Sequence, residues 1–321
     1  MPRVLVAGRV HDAGLAILRA APDVALNLID EVSTAAYAPF VADADAVLIR
    51  TQPMPASIIE RARKLKIVSR HGVGFDAVDV AALNRRRIPL TIVGDVNSRP
   101  VAEHTMMLIL ALIKRTLAHD GATRRSEWNV RDRFEATELA GKSLLLFGFG
   151  RIGRHVAKLA QAFDMTVMAH DPFVEPYTMR SLGVDPVIDV GAAIEEADVI
   201  SVHVPLTAGG ALIGAAEIAR MKPTAIIVNT ARGGLVDEIA LEGALEGGRL
   251  AGAGLDVFVS EPPPADHPLF SSGRVVLSPH SAGLTEECAA RMSISAARNI
   301  LDFFAGRLDP SLIVNRDQLH V

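Results

Sequence analysis

The chain has 321 residues, half of them hydrophobic and 22% charged, which is the composition of a well-packed globular protein rather than a disordered one. Its formal net charge is −4, with acids and bases interspersed along the sequence, which excludes the basic footprint of a nucleic-acid or anionic-membrane binder. The length exceeds the usual size of one hydrophobic core, so we expect two domains.

The N-terminal segment and the single cysteine exclude further classes. The segment MPRVLVAGRV lacks the architecture of a signal peptide, and the longest apolar run, residues 106–113, is too short to span a bilayer. We therefore expect a cytoplasmic protein. Cys288 is the only cysteine, which excludes an intrachain disulfide and a cysteine-cluster metal site, and we expect no bound metal.

Short β-rich runs alternate with helical patterns, which predicts parallel sheets wrapped by helices. Before residue 98 the expected strands are residues 4–7, 46–49 and 67–69, and the expected helices are residues 13–20, 56–63 and 78–87. Residues 99–120 form one helix-forming, largely apolar segment without an intervening strand, which is typical of a spacer helix. A second alternating series begins at residue 143, with strands expected at 166–169, 199–203, 225–229, 252–257 and 275–277, and a helix at 285–304.

Residues 144–172, LLLFGFGRIGRHVAKLAQAFDMTVMAHDP, place three glycines between an apolar strand and an amphipathic helix. Gly148, Gly150 and Gly153 fit the pattern GxGxxG, and Asp171 follows the next strand, 18 residues beyond the last glycine. A glycine pattern alone is a weak signal. Here it follows a strand, opens a helix and lies in a βαβ unit that ends on an acidic residue, which is the context of a dinucleotide-binding fingerprint.

Each of these residues has a physical role at such a site. Gly148 permits the tight turn, Gly150 lets the backbone approach a pyrophosphate, and Gly153 lets the helix pack closely on the strand. The unpaired N–H groups and partial positive charge of the helix N-terminus attract the phosphates. Asp171 can accept two hydrogen bonds from an adenosine ribose but repels a 2′-phosphate, so the sequence favours NAD over NADP.

Three polar residues follow later predicted strands and suggest the chemistry. Arg232 lies in VNTARGGLVDE, Glu261 in LDVFVSEPPP and His280 in VVLSPHSAGLT. Because the carboxyl ends of parallel strands meet at one crevice, these residues could meet beside the nicotinamide. A histidine suits proton transfer near neutral pH, a carboxylate can orient it, and an arginine matches a substrate carboxylate. Taken singly, each residue could instead be a surface ion pair, a solvated loop acid or an interior histidine.

With these motifs the sequence resembles the D-isomer-specific 2-hydroxyacid dehydrogenases, and within them the phosphoglycerate dehydrogenase branch. The matching segments occur in family order from about residue 45 to 317: HGVGFDAVD at 71–79, NSRPVAEHT at 97–105, GFGRIGR at 148–154, HVPLT at 203–207, NTARGGLVDE at 229–238, GAGLDVFVSEP at 252–262 and SPHSAG at 278–283.

The resemblance implies two doubly wound parallel-sheet α/β domains, with a Rossmann cofactor domain inserted into a flavodoxin-like substrate domain. The substrate domain would comprise residues 1–98 and 285–321, and the NAD-binding domain residues 99–284. The family also implies a homodimer, formed through the arm that contains Trp128. The chain ends without the regulatory serine-sensing domain of many phosphoglycerate dehydrogenases, so we expect no feedback control of that kind.

The resemblance assigns catalysis to Arg232, Glu261 and His280. His280 would take the hydroxyl proton while hydride leaves C2 for NAD, Glu261 would support it, and Arg232 would hold the substrate carboxylate. The implied cofactor contacts, besides the three glycines, are Arg151, Ile152, Asp171, Pro205, Thr230 and Asp256. Gly210 stands where relatives often have a phosphate-binding threonine, so that contact is not expected, and His203 is expected to pack in the interior.

On the substrate side, the backbone N–H groups of Val73 and Gly74 would bind the carboxylate. Arg50 and Arg70 match arginines that bind the distal phosphate in phosphoglycerate-specific relatives, and Asn97 matches an asparagine of the same cleft. Both arginines sit at strand ends, where an interdomain ion pair is an alternative role.

Several functions remain open at this point. The leading substrate pair is 3-phosphoglycerate and 3-phosphohydroxypyruvate, followed by hydroxypyruvate, glyoxylate or another small 2-oxo acid. Formate oxidation is disfavoured, because formate-oxidising relatives carry glutamine at the position of Glu261. A more distant alternative is an NAD-binding scaffold like the corepressors that share this fold.

Overall fold

The structure is a computed structural model that describes residues 1–206 and 209–319. The chain divides into two compact units, one made of Met1–Asn97 with Leu284–Val321 and the other of Ser98–Gly283. These junctions lie within one residue of the domain bounds expected from the sequence. Within the described ranges, none of the helices has the length and apolar character that crossing a membrane requires.

The first unit contains a five-stranded, fully parallel sheet. Its strands are β1 (Arg3–Ala7), β2 (Ala25–Ile29), β3 (Ala46–Ile49), β4 (Ile67–Arg70) and β5 (Leu90–Thr91). The helices between and after them are α1 (Asp12–Ala20), α2 (Thr34–Tyr37), α3 (Ala56–Arg61) and α4 (Val80–Arg85). The strand order, β2-β1-β3-β4-β5, is the flavodoxin-like order of a doubly wound sheet.

The second unit begins with two helices, α5 (Ser98–Ile113) and α6 (Thr116–Arg124), and contains a seven-stranded parallel sheet. Its strands are β6 (Ser143–Phe147), β7 (Thr166–His170), β8 (Asp185–Pro186), β9 (Val199–Val202), β10 (Ile226–Asn229), β11 (Gly252–Leu255) and β12 (Val275–Leu277). Its further helices are α7 (Arg151–Gln161), α8 (Pro176–Ser181), α9 (Val190–Glu196), α10 (Ala215–Arg220) and α11 (Glu238–Glu246).

The strand order of the second sheet is β12-β11-β10-β9-β6-β7-β8, so the direction of the chain across the sheet reverses between β6 and β9. This reversal is the topological switch point of a Rossmann fold, outside which ligands bind. The chain then returns to the first unit as α12 (Glu286–Phe304). The expected pair of doubly wound parallel-sheet domains is therefore confirmed.

Short 3₁₀ helices among the described residues are Ala38–Asp43, Trp128–Arg133, Pro268–Ser271, Pro310–Leu312 and Arg316–Gln318. Apolar clusters cover both faces of each sheet. Along β1, for example, Leu5 and Ala7 enter one cluster while Val4 and Val6 enter the other. Because alternate strand residues point to opposite faces, this pattern requires helices on both sides of the sheet.

Two sequence expectations were wrong in detail. The strands β2, β5 and β8 were not anticipated. The spacer helix is broken, because α5 ends at Ile113 and Arg115 adopts a left-handed conformation with φ of 53°. The carbonyl of Ile113 accepts a hydrogen bond from the N–H of Thr137 instead of continuing the helix.

Candidate active site

The glycine turn after β6 is shaped by close approaches at two of its three glycines. A Cβ on Gly148, whose φ is +98°, would lie 2.5 Å from the carbonyl oxygen of His203, and a Cβ on Gly153 would lie 2.2 Å from the carbonyl oxygen of Gly148. A Cβ on Gly150 would have no atom within 4 Å among the described residues outside its own chain neighbours and helix backbone. The first and third glycines thus serve packing within the protein, whereas the space beside Gly150 is open to a ligand.

The helix that follows this turn offers a phosphate site. α7 begins at Arg151, directly after Gly150. No side chain caps the N–H groups of its first turn, which starts with Arg151 and Ile152. Helix N–H groups without a cap, reinforced by the helix dipole, are the donors that nucleotide phosphates use.

Asp171 lies one residue after β7 and borders the glycine turn. One carboxylate oxygen accepts the backbone N–H of Phe149 at 2.8 Å, and the other accepts the N–H of Phe173 at 2.9 Å. Each carboxylate oxygen has a second lone pair, so this fixed carboxylate retains capacity for ribose hydroxyls.

The remaining expected cofactor contacts follow the strands on the other side of the switch point. Pro205 follows β9 in a motif whose last residue, Thr207, lies outside the described residues. Thr230, after β10, is buried and its hydroxyl lies 3.0 Å from that of Thr105 on α5. Gly210 has φ of +84°, and a Cβ there would have no neighbour within 4 Å among the residues that the structure describes.

Asp256, after β11, is almost fully buried and holds the loop that carries His280. Its carboxylate accepts the hydroxyl of Ser278 at 2.5 Å and the backbone N–H groups of Ser281 and Ala282 at 2.8 and 2.9 Å. Its backbone carbonyl accepts the N–H of His280 at 2.7 Å. Since His280 has a left-handed φ of 51°, which is unfavourable for a residue with a side chain, these bonds hold a strained residue in place.

His280 and Glu261 form a direct pair. The Nδ1 atom of His280 lies 2.7 Å from one carboxylate oxygen of Glu261, and the other oxygen accepts the backbone N–H of Phe258 at 3.1 Å. The imidazole is half exposed. The alternative roles of an interior histidine and a solvated acid therefore do not describe this pair. Donation from Nδ1 to the carboxylate leaves Nε2 as the acceptor nitrogen.

The environment of Glu261 keeps its carboxylate charged. Burial raises its pKa, but the hydrogen bond and charge of His280, the N–H of Phe258 and the charge of Arg232 together hold the pKa below the usual value. A charged carboxylate beside an imidazole stabilises the protonated form of the ring.

Arg232 is brought beside this pair by the loop after β10. The buried side chain of Asn229 folds the loop, donating to the carbonyl of Arg232 at 2.8 Å and accepting the N–H of Ala231 at 3.0 Å. A Cβ on Gly233 would lie 1.8 Å from the carbonyl oxygen of Phe258, so the loops after β10 and β11 touch through backbone. The guanidinium of Arg232 donates to the carbonyl of Ala231 at 2.6 Å.

The expected substrate residues lie in the first unit, at the carboxyl ends of β3 and β4. Arg50 directly follows Ile49, which pairs in register with Arg70. Arg50 donates to the carbonyl of Arg9 at 3.1 Å, and Arg70 donates to the carbonyl of His71 at 2.8 Å. Burial, followed by the charges of both arginines, lowers the pKa of His71 to about 4, so this strand edge is electropositive.

The loop after β4 and the end of the unit contain the other expected contacts. The structure records no acceptor within the described residues for the N–H groups of Val73 and Gly74, and Arg50 forms no ion pair with a carboxylate there. Asn97 is half-buried at the last position before α5. These features give the first unit donors suited to an anion.

Some residues of the second unit's site were not singled out from the sequence. Asn229, Ser278, His104 and Glu238 all lie inside the quoted motifs, so their positions in those motifs were the available signal. His104 on α5 lies 2.8 Å from the hydroxyl of Ser278, which extends the hydrogen-bonded network of Asp256. His203 is half-buried with its Nδ1 atom enclosed, and burial lowers its pKa to about 4.

Comparison with known proteins identifies the family. Residues 106–282 match the family model described as D-isomer specific 2-hydroxyacid dehydrogenase, NAD binding domain. The chain belongs to this family. The match covers most of the second unit, and the expected cofactor, NAD, is confirmed.

Named relatives of this family member differ in their substrates. A D-3-phosphoglycerate dehydrogenase of Methanocaldococcus jannaschii is 37% identical over 98% of the chain, which spans only 59% of that relative's length. A glyoxylate reductase of Thermofilum pendens is 36% identical over the whole chain and 96% of the relative. The crystal structure of D-lactate dehydrogenase from Aquifex aeolicus, complexed with NAD and lactic acid, has a TM-score of 0.87 at 26% identity, covering 95% of this chain and 96% of that one.

Proposed function

We propose that this protein transfers a hydride between NAD(H) and a D-2-hydroxy acid/2-oxo acid pair. The observation that carries the proposal is the 2.7 Å contact between His280, on the loop after β12, and Glu261, on the loop after β11, beside Arg232. All three residues follow strands of an NAD-binding domain, at the edge where Rossmann folds bind their ligands.

The residues of the glycine turn fit the cofactor. The open face of Gly150 admits a pyrophosphate, the N–H groups of Arg151 and Ile152 would bind it, and Asp171 would bind the adenosine ribose. Pro205, Thr230 and Asp256 would border the nicotinamide half. When bound, NAD supplies the hydride acceptor for alcohol oxidation.

The acid–base chemistry belongs to the histidine–glutamate pair. In oxidation the Nε2 atom of His280 takes the hydroxyl proton, and in reduction it returns that proton to the carbonyl oxygen. The charged Glu261 holds Nδ1 as the donor and stabilises the imidazolium that forms. Arg232 would bind the substrate carboxylate through its planar pair of N–H donors.

The leading substrate is 3-phosphoglycerate, with 3-phosphohydroxypyruvate as the oxidised partner. Arg50 and Arg70 on adjacent strand ends supply two positive charges for a distal phosphate, and the N–H groups of Val73 and Gly74 supply carboxylate donors, with Asn97 as a further polar contact. The similarity to D-3-phosphoglycerate dehydrogenases supports this choice, whereas the similarity to glyoxylate reductases favours a smaller acid.

The test is NADH oxidation by the purified protein with 3-phosphohydroxypyruvate, hydroxypyruvate and glyoxylate, repeated with His280→Ala. We expect turnover that His280→Ala abolishes, with the phosphorylated acid preferred by kcat/KM. Turnover of none of the acids by a protein that binds NADH would refute the proposal and favour an NAD-binding scaffold.

The phosphate role of the arginines has its own matched variants. Loss of one charge-assisted contact costs about 1.5–3 kcal/mol, so Arg70→Gln should lower kcat/KM for phosphohydroxypyruvate by roughly 10- to 100-fold and barely change it for glyoxylate. Arg61→Gln, at the exposed end of α3, removes the same charge from the unit as a control. Equal losses with both acids would assign Arg70 a structural role instead.

The protein is proposed to act as a homodimer. Met107 and Leu117 on the two helices that open the second unit are exposed, as are Trp128 and Phe134 on the arm that follows them. Such a run of exposed apolar side chains is typical of an interface. Sedimentation equilibrium should give twice the chain mass, and Met107→Asp combined with Leu117→Asp should give the monomer; a monomeric wild type would contradict the proposal.

A further inference from the structure

A second carboxylate–imidazole pair lies behind the loop that carries Glu261. One carboxylate oxygen of Glu238, the first residue of α11, lies 3.1 Å from Nε2 of His267. Both side chains are mostly buried, with exposed fractions of 15% and 10%. Helix capping does not use this carboxylate, because Asp237 caps α11. A buried acid with no part in its own helix requires another explanation.

The other oxygen of Glu238 accepts the backbone N–H of Val259 at 2.7 Å. The preceding N–H, that of Phe258, donates to Glu261 at 3.1 Å. Two successive amides of one loop are therefore bound by two different carboxylates. Because only the φ and ψ angles of Phe258 separate these two amides, holding the Val259 amide restricts the direction of the Phe258 N–H, which is the anchor that Glu261 uses while its carboxylate contacts His280.

The peptide plane between Phe258 and Val259 also contacts the loop that carries Arg232. The carbonyl of Phe258 shares a rigid plane with the N–H of Val259, and this carbonyl is the group against which Gly233 packs. A rotation of the plane would thus disturb Glu261 on one side and the backbone next to Arg232 on the other.

His267 keeps the Glu238 carboxylate in one orientation. Its ring packs edge-on against Phe258 and also contacts Phe270, with centroid distances of 5.5 and 5.3 Å. Its buried Nδ1 has no hydrogen-bond partner among the described residues. A proton on Nδ1 would be buried without an acceptor, so the favoured neutral tautomer carries it on Nε2 and donates to Glu238.

We propose that Glu238 and His267 are positioning residues that hold the Phe258–Val259 amides, and thereby Glu261, in the geometry that orients His280. The proposal rests on the proposed acid–base role of Glu261 and His280 for its effect on turnover. Neither residue of the pair contacts the imidazole of His280, and each acts only through the loop.

The first test needs no turnover. The proton between Nδ1 of His280 and Glu261 should give a downfield proton NMR signal in the ligand-free protein, assigned by its loss in His280→Gln. Glu238→Ala should shift or broaden this signal and raise the pKa of Glu261, measured from its side-chain carboxyl carbon, because the amide anchor that helps to lower this pKa is loosened. Glu246→Ala, at the exposed end of the same helix, should change neither.

The second test is kinetic. Glu238→Ala and His267→Phe should lower kcat on the order of 10- to 100-fold, with KM for NADH changed less than twofold, since small misplacements of catalytic groups have effects of this size. Glu238→Gln should recover only part of the loss, because its amide oxygen can still accept the N–H of Val259 but its NH2 group cannot accept the Nε2 proton of His267; it also serves as the test variant if the alanine protein does not fold.

The outcomes separate two failures. A lower melting temperature with an unchanged downfield signal, an unchanged pKa of Glu261 and kcat within twofold of wild type would show a purely structural role and overturn the proposal. A wild type that turns over no 2-oxo acid would refute the proposed function, and the NMR comparison would still decide whether the pair positions Glu261.

Discussion

Substitutions at two glycines of the turn should have opposite effects: Gly150→Ala should weaken NADH binding, and Gly153→Ala should lower the stability of the fold. Gly150 has φ of −73° and ψ of −157°, an extended conformation open to any residue, and in the described part of the chain a methyl group there would meet no atom within 4 Å beyond its local backbone. We therefore expect Gly150→Ala to change the free energy of unfolding by no more than about 0.5 kcal/mol, because the weaker N-cap is offset by a less flexible unfolded chain.

The same methyl group would stand where a pyrophosphate must approach the N–H groups of α7. Preventing that approach weakens charge-assisted hydrogen bonds, so NADH affinity should fall about tenfold or more, equivalent to about 1.4 kcal/mol or more. Gly153→Ala is the matched opposite. Its Cβ would lie 2.2 Å from the carbonyl oxygen of Gly148, which forces a backbone shift that costs roughly 1–3 kcal/mol of stability.

The assay combines thermal unfolding of the ligand-free proteins with NADH titration by calorimetry. Gly150→Ala should have the melting temperature of the wild type and bind NADH weakly, whereas Gly153→Ala should have a melting temperature several degrees lower. Wild-type NADH affinity in Gly150→Ala would show that the open space beside this glycine is not the pyrophosphate site. Equal destabilisation of both variants would refute the packing argument.

Three further predictions concern cofactor choice, proton transfer and pH. Asp171→Asn should reduce the preference for NADH over NADPH, measured as a ratio of kcat/KM, by about tenfold or more, because the charge that repels a 2′-phosphate is lost; an unchanged ratio would remove Asp171 from cofactor selection. Glu261→Gln should lower kcat by roughly 100-fold or more while NADH affinity stays within twofold, since the imidazolium loses its counter-charge; an unchanged kcat would contradict the relay. Burial lowers the pKa of His203 from 6.5 to about 4. As the pH falls below 6.5, the unfolded chain therefore binds a proton at this histidine before the folded chain does, and the free energy of unfolding falls by about 2 kcal/mol between pH 7.5 and pH 5. Urea unfolding at pH 7.5 and pH 5 should therefore show a smaller acid-induced loss in His203→Gln than in the wild type, and identical losses would place the titrating group elsewhere.

The sheets were predictable where their strands are buried on both faces. β3, whose four residues are all buried, has the bounds expected from the sequence, because a short apolar run flanked by turn residues favours a buried parallel strand. β2 and β8 lie at sheet edges, where half-exposed strands carry no such run. β5 has only two residues. The break after Ile113 depends on the N–H of Thr137, a contact that no local pattern encodes.

The grouping of the candidate site residues was also predictable, because it follows from the order of the parallel strands. Arg232, Glu261 and His280 each follow a strand by a few residues, so the rule that carboxyl ends of parallel strands converge was enough to group them. The contact between His280 and Glu261 depends on distance rather than on spacing in sequence, and only the fold supplies it. For Arg50 and Arg70 the fold gives adjacent strand ends, and their ligand is a proposal for kinetics to test.

Asn229 and Glu238, which were not singled out from the sequence, share one physical property: each binds backbone groups of a loop. The side chains of His280 and Glu261 are partly exposed, so packing alone does not hold them, and their geometry depends on hydrogen bonds to the loops that carry them. Glu238 supports the Glu261 loop in this way, and Asp256, which the resemblance indicated only as a cofactor contact, supports the His280 loop. The N–H groups that these two carboxylates accept lie 21, 25 and 26 residues away along the chain. Periodicity reports only neighbours on one helix or strand face, so such anchors become visible only when the strands are in register and their loops are brought side by side.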